Sequence, residues 1–455
     1  MKKIVTKFGG SSLASAEQIK KVRDIILSDR DRKYVVVSAA GKRNREDDKI
    51  TDLLIETFEC RADEKKQKET FDKIKTRYIE IVKELKIDFD IEAELANIFE
   101  EAKRIGTRDF LASRGEYLSA KVLSKYLNCS FIDTQNVIIF KEDGRLDFDI
   151  TYRNIKEKIG NAEINSCESE FMADIDKSFR VVIPGFYGSK ENGEIVTFSR
   201  GGSDITGSLV ARAINADTYE NWTDVSGVMF ADPRIVEDAK PINYITYTEL
   251  RELSYMGATV LHEETVYPVS KANIPINILN TNRPTDKGTM IVSSVPSIVK
   301  RNVITGIAGR KGFTSILLQK ALMNEEIGYL SKLLRIFENE RIPVEHCPTG
   351  IDTISIVLRS EFLNDKKEII LNKIKEELSP DILDLEENIS LIAVVGEGMV
   401  YHKDVIMKVF KALADAGIMV KMIDQGSSGI NIIIGVSEND HEKALRALGS
   451  LQSLV

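Results

Sequence analysis

Apolar residues in the first part of the chain fall in short blocks that stop at glycine. Ile4 to Phe8 reads as a strand ending in Gly9-Gly10-Ser11-Ser12, and Ile19, Val22, Ile25 and Ile26 mark one face of the helix that follows. Tyr34 to Val37 reads as a second strand, breaking at Ser38-Ala39-Ala40-Gly41. From Asp52 to about Arg104 the chain is charged and helical, with Ile74, Tyr78, Ile81, Val82 and Leu85 on one face. Ser113-Arg114-Gly115-Glu116 is expected to precede a further helix, which makes Glu116 a first-turn acid favouring the helix dipole. Val181 to Pro184 is a strand leading to Gly185-Phe186-Tyr187-Gly188, and Asn192-Gly193 marks a hairpin. It returns to Glu194–Ala211, where an apolar strand meets a turn carrying Arg200, Ser203 and Asp204. Leu209, Val210, Ala213 and Ile214 then give a helix for which Ser203 or Asp204 is the expected N-cap.

Beyond about Lys300 the pattern repeats itself. Gly312 to Leu378 superimposes without gaps on Asn388 to Leu454 at an offset of 76 residues. Ile316 to Leu318 falls on Ile392 to Val394, and Tyr329, Leu330, Leu333, Leu334 and Phe337 fall on Val405, Ile406, Val409, Phe410 and Leu413. Each copy reads strand, helix, strand, strand, helix, the order of a ferredoxin-like module. The first copy continues into Asp381 to Leu385, a possible fourth strand, whereas the second stops after its second helix. The apolar run Val303 to Ala308, which has no place in the first copy, is expected to pair with the second and cover its open edge.

Composition narrows the function. With 455 residues, a formal charge of −8 and no basic run with interleaved aromatics, the chain does not read as a nucleic-acid binder. Cys60, Cys129, Cys167 and Cys347 show no CxxC spacing and the four histidines are scattered, so free thiols and no protein-bound metal are expected. No 18-residue apolar run and no signal-peptide core occur, so neither a membrane nor export is expected, and the reading is a cytoplasmic protein.

The chemistry sits in the glycine turns. Glycine pairs let a backbone approach phosphate oxygens while its N–H groups donate, and Lys7 beside them supplies a mobile charge. No GxxxxGK[ST] loop occurs. Turns at the carboxyl ends of early strands are where open α/β sheets bind ligands. The turn at 200–204 adds a helix start suited to an anion and, in Arg200, a fork suited to a carboxylate.

KFGGSS at the amino terminus, SRGE, FSRGGSD and WTDVSGVMFADPR, in this order and at these separations, resemble the aspartokinases of the amino acid kinase family. The resemblance implies a three-layer α/β/α kinase domain over 1–300, followed by two ferredoxin-like (βαββαβ) ACT modules over 301–386 and 387–455. It implies transfer of the ATP γ-phosphoryl group, with Mg²⁺, to the β-carboxylate of L-aspartate. Lys7, Gly9, Gly10 and Ser11 would hold the β- and γ-phosphates, and Asp204 would position Lys7 or the substrate. Thr51, Glu116, Arg200 and Ser203 would bind aspartate, with Glu116 near its ammonium. Ser38, Thr223, Asp224, Met229, Asp232 and Arg234 would line the nucleotide site. Two departures stand out: Thr259 replaces a lysine that reaches ATP in many relatives, and Met229 replaces a common aromatic.

The paired ACT modules imply an amino-acid effector and a homodimer or homotetramer, although on periodicity alone they would serve as dimerisation units. The effector is expected at the strand-to-helix turn of the first copy, on Met323, Glu326, Gly328, Tyr329 and Leu330, with Glu345 facing its ammonium. Gly328 falls on Asp404 in the second copy, which would repel an effector carboxylate. Two other readings share these features: a sister kinase acting on acetylglutamate or glutamate, and an amino-acid sensor without activity.

Overall fold

Strand β1 (Ile4–Phe8) is buried along its whole length, as is β5 (Val181–Pro184). Strands buried at every position have cover on both faces, which is the situation of a parallel sheet flanked by helices. The computed structural model describes residues 2–168, 179–199, 201–258, 261, 263–299 and 302–454. They form two units: Met1–Val228 with Asn243–Tyr247 and Val260–Val295, and Met229–Ile242 with Thr248–Thr259 and Pro296–Val455.

The remaining strands of the first unit are β2 (Arg32–Val37), β3 (Ser130–Phe131), β4 (Ile139–Phe140), β6 (Tyr187–Lys190), β7 (Ile195–Thr197), β8 (Thr218–Thr223), β9 (Tyr244–Thr246), β10 (Ile276–Asn280) and β11 (Thr289–Val292). Its helices are α1 (Ala16–Leu27), α2 (Ile50–Glu59), α3 (Glu64–Leu85), α4 (Ile91–Ile105), α5 (Arg108–Leu127), α6 (Phe148–Glu168) and α7 (Gly202–Ala213). Helix α8 (Tyr247–Tyr255) runs from this unit into the other, and α9 (Glu263–Ser270) returns to it.

Eight strands form the main sheet in the order β3-β5-β2-β1-β8-β10-β11-β9, parallel as far as β10, and β4-β6-β7 form a smaller one. Helices α1 to α5 cover one face over Phe8, Val35, Val37 and Val182, and α7 lies on the other with α6 and α9 beside it. This is the three-layer α/β/α arrangement. The charged stretch from 52 to 104 is divided among α2, α3 and α4, broken by caps at Asp63 and Asp90.

Two local expectations are corrected. Ser113-Arg114-Gly115-Glu116 does not precede a helix but lies in the middle of α5. Gly115 serves packing there, since a Cβ on it would lie 2.7 Å from Ala39 Cβ. The N-cap of α7 is Gly201, at φ 62, with Ser203 and Asp204 inside the first turn.

The second unit contains β12 (Gly306–Gln319), α10 (Tyr329–Asn339), β13 (Thr353–Arg359), α11 (Ser360–Leu363), α12 (Lys367–Leu378), β14 (Ile382–Val395), α13 (Val405–Asp415), β15 (Met422–Asp424), β16 (Asn431–Ser437) and α14 (His441–Gly449). The two copies share one sheet, β13-β12-β14-β16-β15, above two separate cores. Strands β12 and β14 each pass from one copy to the other. Phe313 to Gln319 pairs with β13 and the first half of β14, while Gly306, Ile307 and Ala308 face Val395, Val394 and Ala393. The Thr305 N–H extends this pairing to the Val395 carbonyl at 2.7 Å. No described helix is long and apolar enough to cross a membrane.

Candidate active site

Parallel pairing of β1 with β2 on one side and β8 on the other sets Phe8 beside both Val37 and Trp222. The turns that follow these three strands therefore leave the same end of the sheet, at the point where chain order reverses. Lys7 is 7% exposed, and its Nζ lies 2.6 Å from Asp204 Oδ1. The same oxygen accepts from Asn221 Nδ2 at 2.8 Å. Asn221 faces Lys7 across the β1–β8 ladder, so one register brings acid, amide and lysine together.

The Gly9 N–H donates to the Trp222 carbonyl at 3.0 Å, and Lys7 Nζ lies 3.8 Å from where a Cβ on Gly9 would be. Gly10 and Gly41 meet backbone to backbone. The Gly41 N–H donates to the Gly10 carbonyl at 2.8 Å, and a Cβ on Gly41 would lie 2.7 Å from Gly10 C and 2.9 Å from Ser11 N. Ser11 is half-buried in the 3₁₀ turn after Gly10, and the Ser38 N–H donates to the Phe8 carbonyl at 3.1 Å. Gly185 at the end of β5 presses on Ser203, since a Cβ there would lie 2.6 Å from its Oγ. Gly201, the N-cap of α7, has no side chain with which to cap it.

Glu116 is 5% exposed, and its Oε2 has no hydrogen-bond partner among the described residues. Burial raises its pKa from 4.5 to about 8, against the opposing pull of the Ala39 amide and the Arg114 and Lys7 charges. Thr51 is the second residue of α2, whose first N–H, from Ile50, donates to the Ala40 carbonyl at 3.2 Å. The Ser38–Gly41 segment thus contacts Glu116, α2 and the Gly10 turn.

Thr223 ends β8 and Asp224 follows it, with Thr223 Oγ1 donating to Asp224 Oδ1 at 3.1 Å. Met229, Asp232 and Arg234 belong to the second unit, where Phe230 and Ala231 enter the core of the second ACT copy. Arg234 Nη2 pairs with Asp232 Oδ2 at 2.6 Å. Arg200 and Thr259 lie outside the described residues. Among the described residues no group of three or more His, Cys, Asp or Glu is placed to hold a metal. Asn221 is placed by the strand register and the Ala39 amide by the packing of α5 against the turn after β2, and neither shows in the sequence pattern.

At the first-copy turn, Gly328 is the N-cap of α10 at φ 84, and a Cβ on it would meet nothing within 4 Å. Glu326 lies 2.7 Å from Lys320 Nζ and 2.9 Å from Lys332 Nζ. Tyr329 is buried, its hydroxyl without a hydrogen-bond partner among the described residues, Met323 is in the core of the first copy, and Leu330 is exposed. Glu345 is not brought to this turn. The antiparallel register sets it beside Val357 and Arg359, at the Phe313 end of β12, whereas the turn follows Gln319 at the other end. Its carboxylate is already held 2.9 Å from Arg359 Nε. In the second copy, Asp404 pairs with Lys408 at 2.5 Å.

Residues 2–280 match the amino acid kinase family model, and 392–450 match an ACT domain model. Aspartokinase 3 of Bacillus subtilis is 37% identical over 452 residues, covering 98% of this chain and 97% of that protein. The crystal structure of Clostridium acetobutylicum aspartate kinase superimposes with a TM-score of 0.87 at 47% identity, covering 98% of this chain and 99% of that one. Aspartokinase III of E. coli has been solved with aspartate and ADP in an R state (TM-score 0.73) and with lysine and aspartate in a T state (TM-score 0.72). Each of those structures is 25% identical and covers 98% of this chain and 99% of that one.

Proposed function

The chain belongs to the amino acid kinase family and, within it, to the aspartokinases, and from that membership we infer which of its residues perform the transfer. The enzyme moves the γ-phosphoryl group of ATP to the β-carboxylate of L-aspartate, giving 4-phospho-L-aspartate, the first step toward lysine, threonine and methionine. A carboxylate is already ionised at neutral pH, so the nucleophile needs no general base, and the obstacle is repulsion between two anions. Lys7, the Gly10 and Ser11 amides and the start of α7 answer it with positive charge where negative charge accumulates. Asp204, supported by Asn221, keeps Lys7 aimed at that spot. The 2.6 Å Lys7–Asp204 contact, joining the first glycine turn to the start of α7, is the observation that carries this reading.

Arg200, Ser203 and Thr51 take the aspartate carboxylates, and Glu116 takes its ammonium. Ser38, Thr223 and Asp224 serve the nucleotide, whose phosphates bring Mg²⁺ with them. Trapping the acyl phosphate with hydroxylamine tests the substrate: aspartate should yield a hydroxamate in the presence of MgATP, whereas glutamate and N-acetylglutamate should not. Hydroxamate from either of those acids at the aspartate rate would point to a sister kinase.

The effector is proposed to bind at the turn carrying Met323, Glu326, Gly328, Tyr329 and Leu330, with lysine, bound by E. coli aspartokinase III, as the first to try. Glu345 is left out because Arg359 occupies it. The working form is a cytoplasmic homodimer or homotetramer joined through the ACT modules, and sedimentation of the purified chain decides which.

A further inference from the structure

Arg77, on α3, is 4% exposed, yet phosphoryl transfer asks for no cation at its position. One guanidinium nitrogen donates to the carbonyls of Gly41 at 3.1 Å and Asp48 at 3.0 Å, and another lies 2.5 Å from Asp47 Oδ1. Three acceptors of a single loop therefore converge on one side chain. Asp47 also accepts from the Arg43 backbone N–H and Nε, both at 3.0 Å. Burial opposes its charge, but the two arginines hold its pKa down to about 2, so Asp47 stays ionised at any working pH.

The loop so closed borders everything the reaction uses on this side of the sheet. Gly41 rests against Gly10 and Ser11, and the Ala39 amide holds Glu116. The Ala40 carbonyl takes the first N–H of α2, next to Thr51. Releasing the 41–48 loop would free all three at once.

We propose that Arg77 is a positioning residue for phosphoryl transfer, clamping the 41–48 loop so that the Gly10 turn and Glu116 keep the spacing the transfer requires. It touches no reacting atom and acts through Gly41 and Ala39. Lysine cannot replace it, because a single ammonium cannot span three acceptors set out for a planar fork. The proposal rests on reading Gly9 to Ser11 as the phosphate cradle.

The test compares Arg77→Lys, Arg77→Ala, Asp47→Asn and the Arg77→Lys/Asp47→Asn pair in the full chain, with kcat, both KM values and thermal unfolding measured for each. A slipped loop should lower kcat of Arg77→Lys by about 10- to 100-fold at saturating substrates, with the protein still folded at the assay temperature. Ethylguanidinium should restore part of the Arg77→Ala rate saturably and leave the parent unchanged, which lost packing alone would not allow. The paired variant should be no slower than Arg77→Lys, since both changes open the same clamp. Parent-like kcat in Arg77→Lys, or losses that multiply in the pair, would overturn the proposal. If Arg77→Ala does not fold, the lysine and asparagine variants decide the matter. Slow Lys7→Ala beside unimpaired Arg77→Lys would keep the cradle and remove the clamp, whereas two unimpaired variants would remove both.

Discussion

Replacing Glu116 by glutamine should alter how aspartate binding depends on pH. The buried carboxyl, raised to about 8, is mostly protonated at neutral pH in the empty site, so an incoming ammonium must displace its proton. With that value, about 3% of Glu116 is ionised at pH 6.5 and about three-quarters at pH 8.5, a ratio of about 25. The parent's KM for aspartate should therefore fall as pH rises and level off above 8. Glutamine carries no charge, and losing a charge-assisted bond costs about 1.5 to 3 kcal/mol, so Glu116→Gln should raise KM by about 10- to 150-fold at pH 8.5. Dividing the two pH profiles cancels titrations they share and should leave a quotient that grows about 25-fold between pH 6.5 and 8.5. Stability should move the opposite way: a raised folded-state pKa favours folding most below 4.5, and that contribution is lost as pH climbs through about 8. Glu116→Gln should flatten this loss in thermal melts. A quotient independent of pH would refute the assignment of Glu116 to the ammonium.

Gly41→Ala places a methyl 2.7 Å from Gly10 C, so KM for MgATP should rise or kcat fall by about 10²-fold, read from initial rates. Gly328→Asp should shift lysine inhibition to much higher lysine while leaving aspartate kinetics near normal, and unchanged inhibition would move the effector site elsewhere. His441 is buried with Nδ1 2.6 Å from Ser390 Oγ, and burial and Lys311 lower its pKa from 6.5 against the pull of Glu442, Glu438 and Asp232. Its neutral form is the folded one, so stability should drop as pH falls below 6.5, and His441→Asn should blunt that drop in melts at pH 5.5 and 7.5.

The parts legible in the sequence were those fixed by local periodicity. The strands ending at Gly9 and Ser38 and the repeated apolar pattern after Gly312 all depend on neighbours within a few residues. What depends on distant partners was harder to read. Gly115 suggested a break before a helix, but it lies within α5 because Ala39 needs the space. Ser203 suggested a cap, but Gly201 takes that position in a left-handed conformation. Glu345 was assigned by its type, and only the register with β13 shows it beside Arg359. Asp47 and Arg77 sit on different elements, and no spacing rule joins them. The segment at 229–242 belongs with the second ACT copy because Phe230, Ala231 and Val236 enter its core, a preference invisible in a polar stretch.

The central claim is that Lys7, held by Asp204, neutralises the phosphoryl group as it passes to aspartate. Aspartate-dependent ADP formation by Lys7→Ala, with folding checked by thermal melt, tests it most directly. The account predicts kcat lowered by roughly 10² to 10³, the loss expected on removing one preorganised charge-stabilising donor. A folded Lys7→Ala enzyme turning over at nearly the parent rate would contradict it.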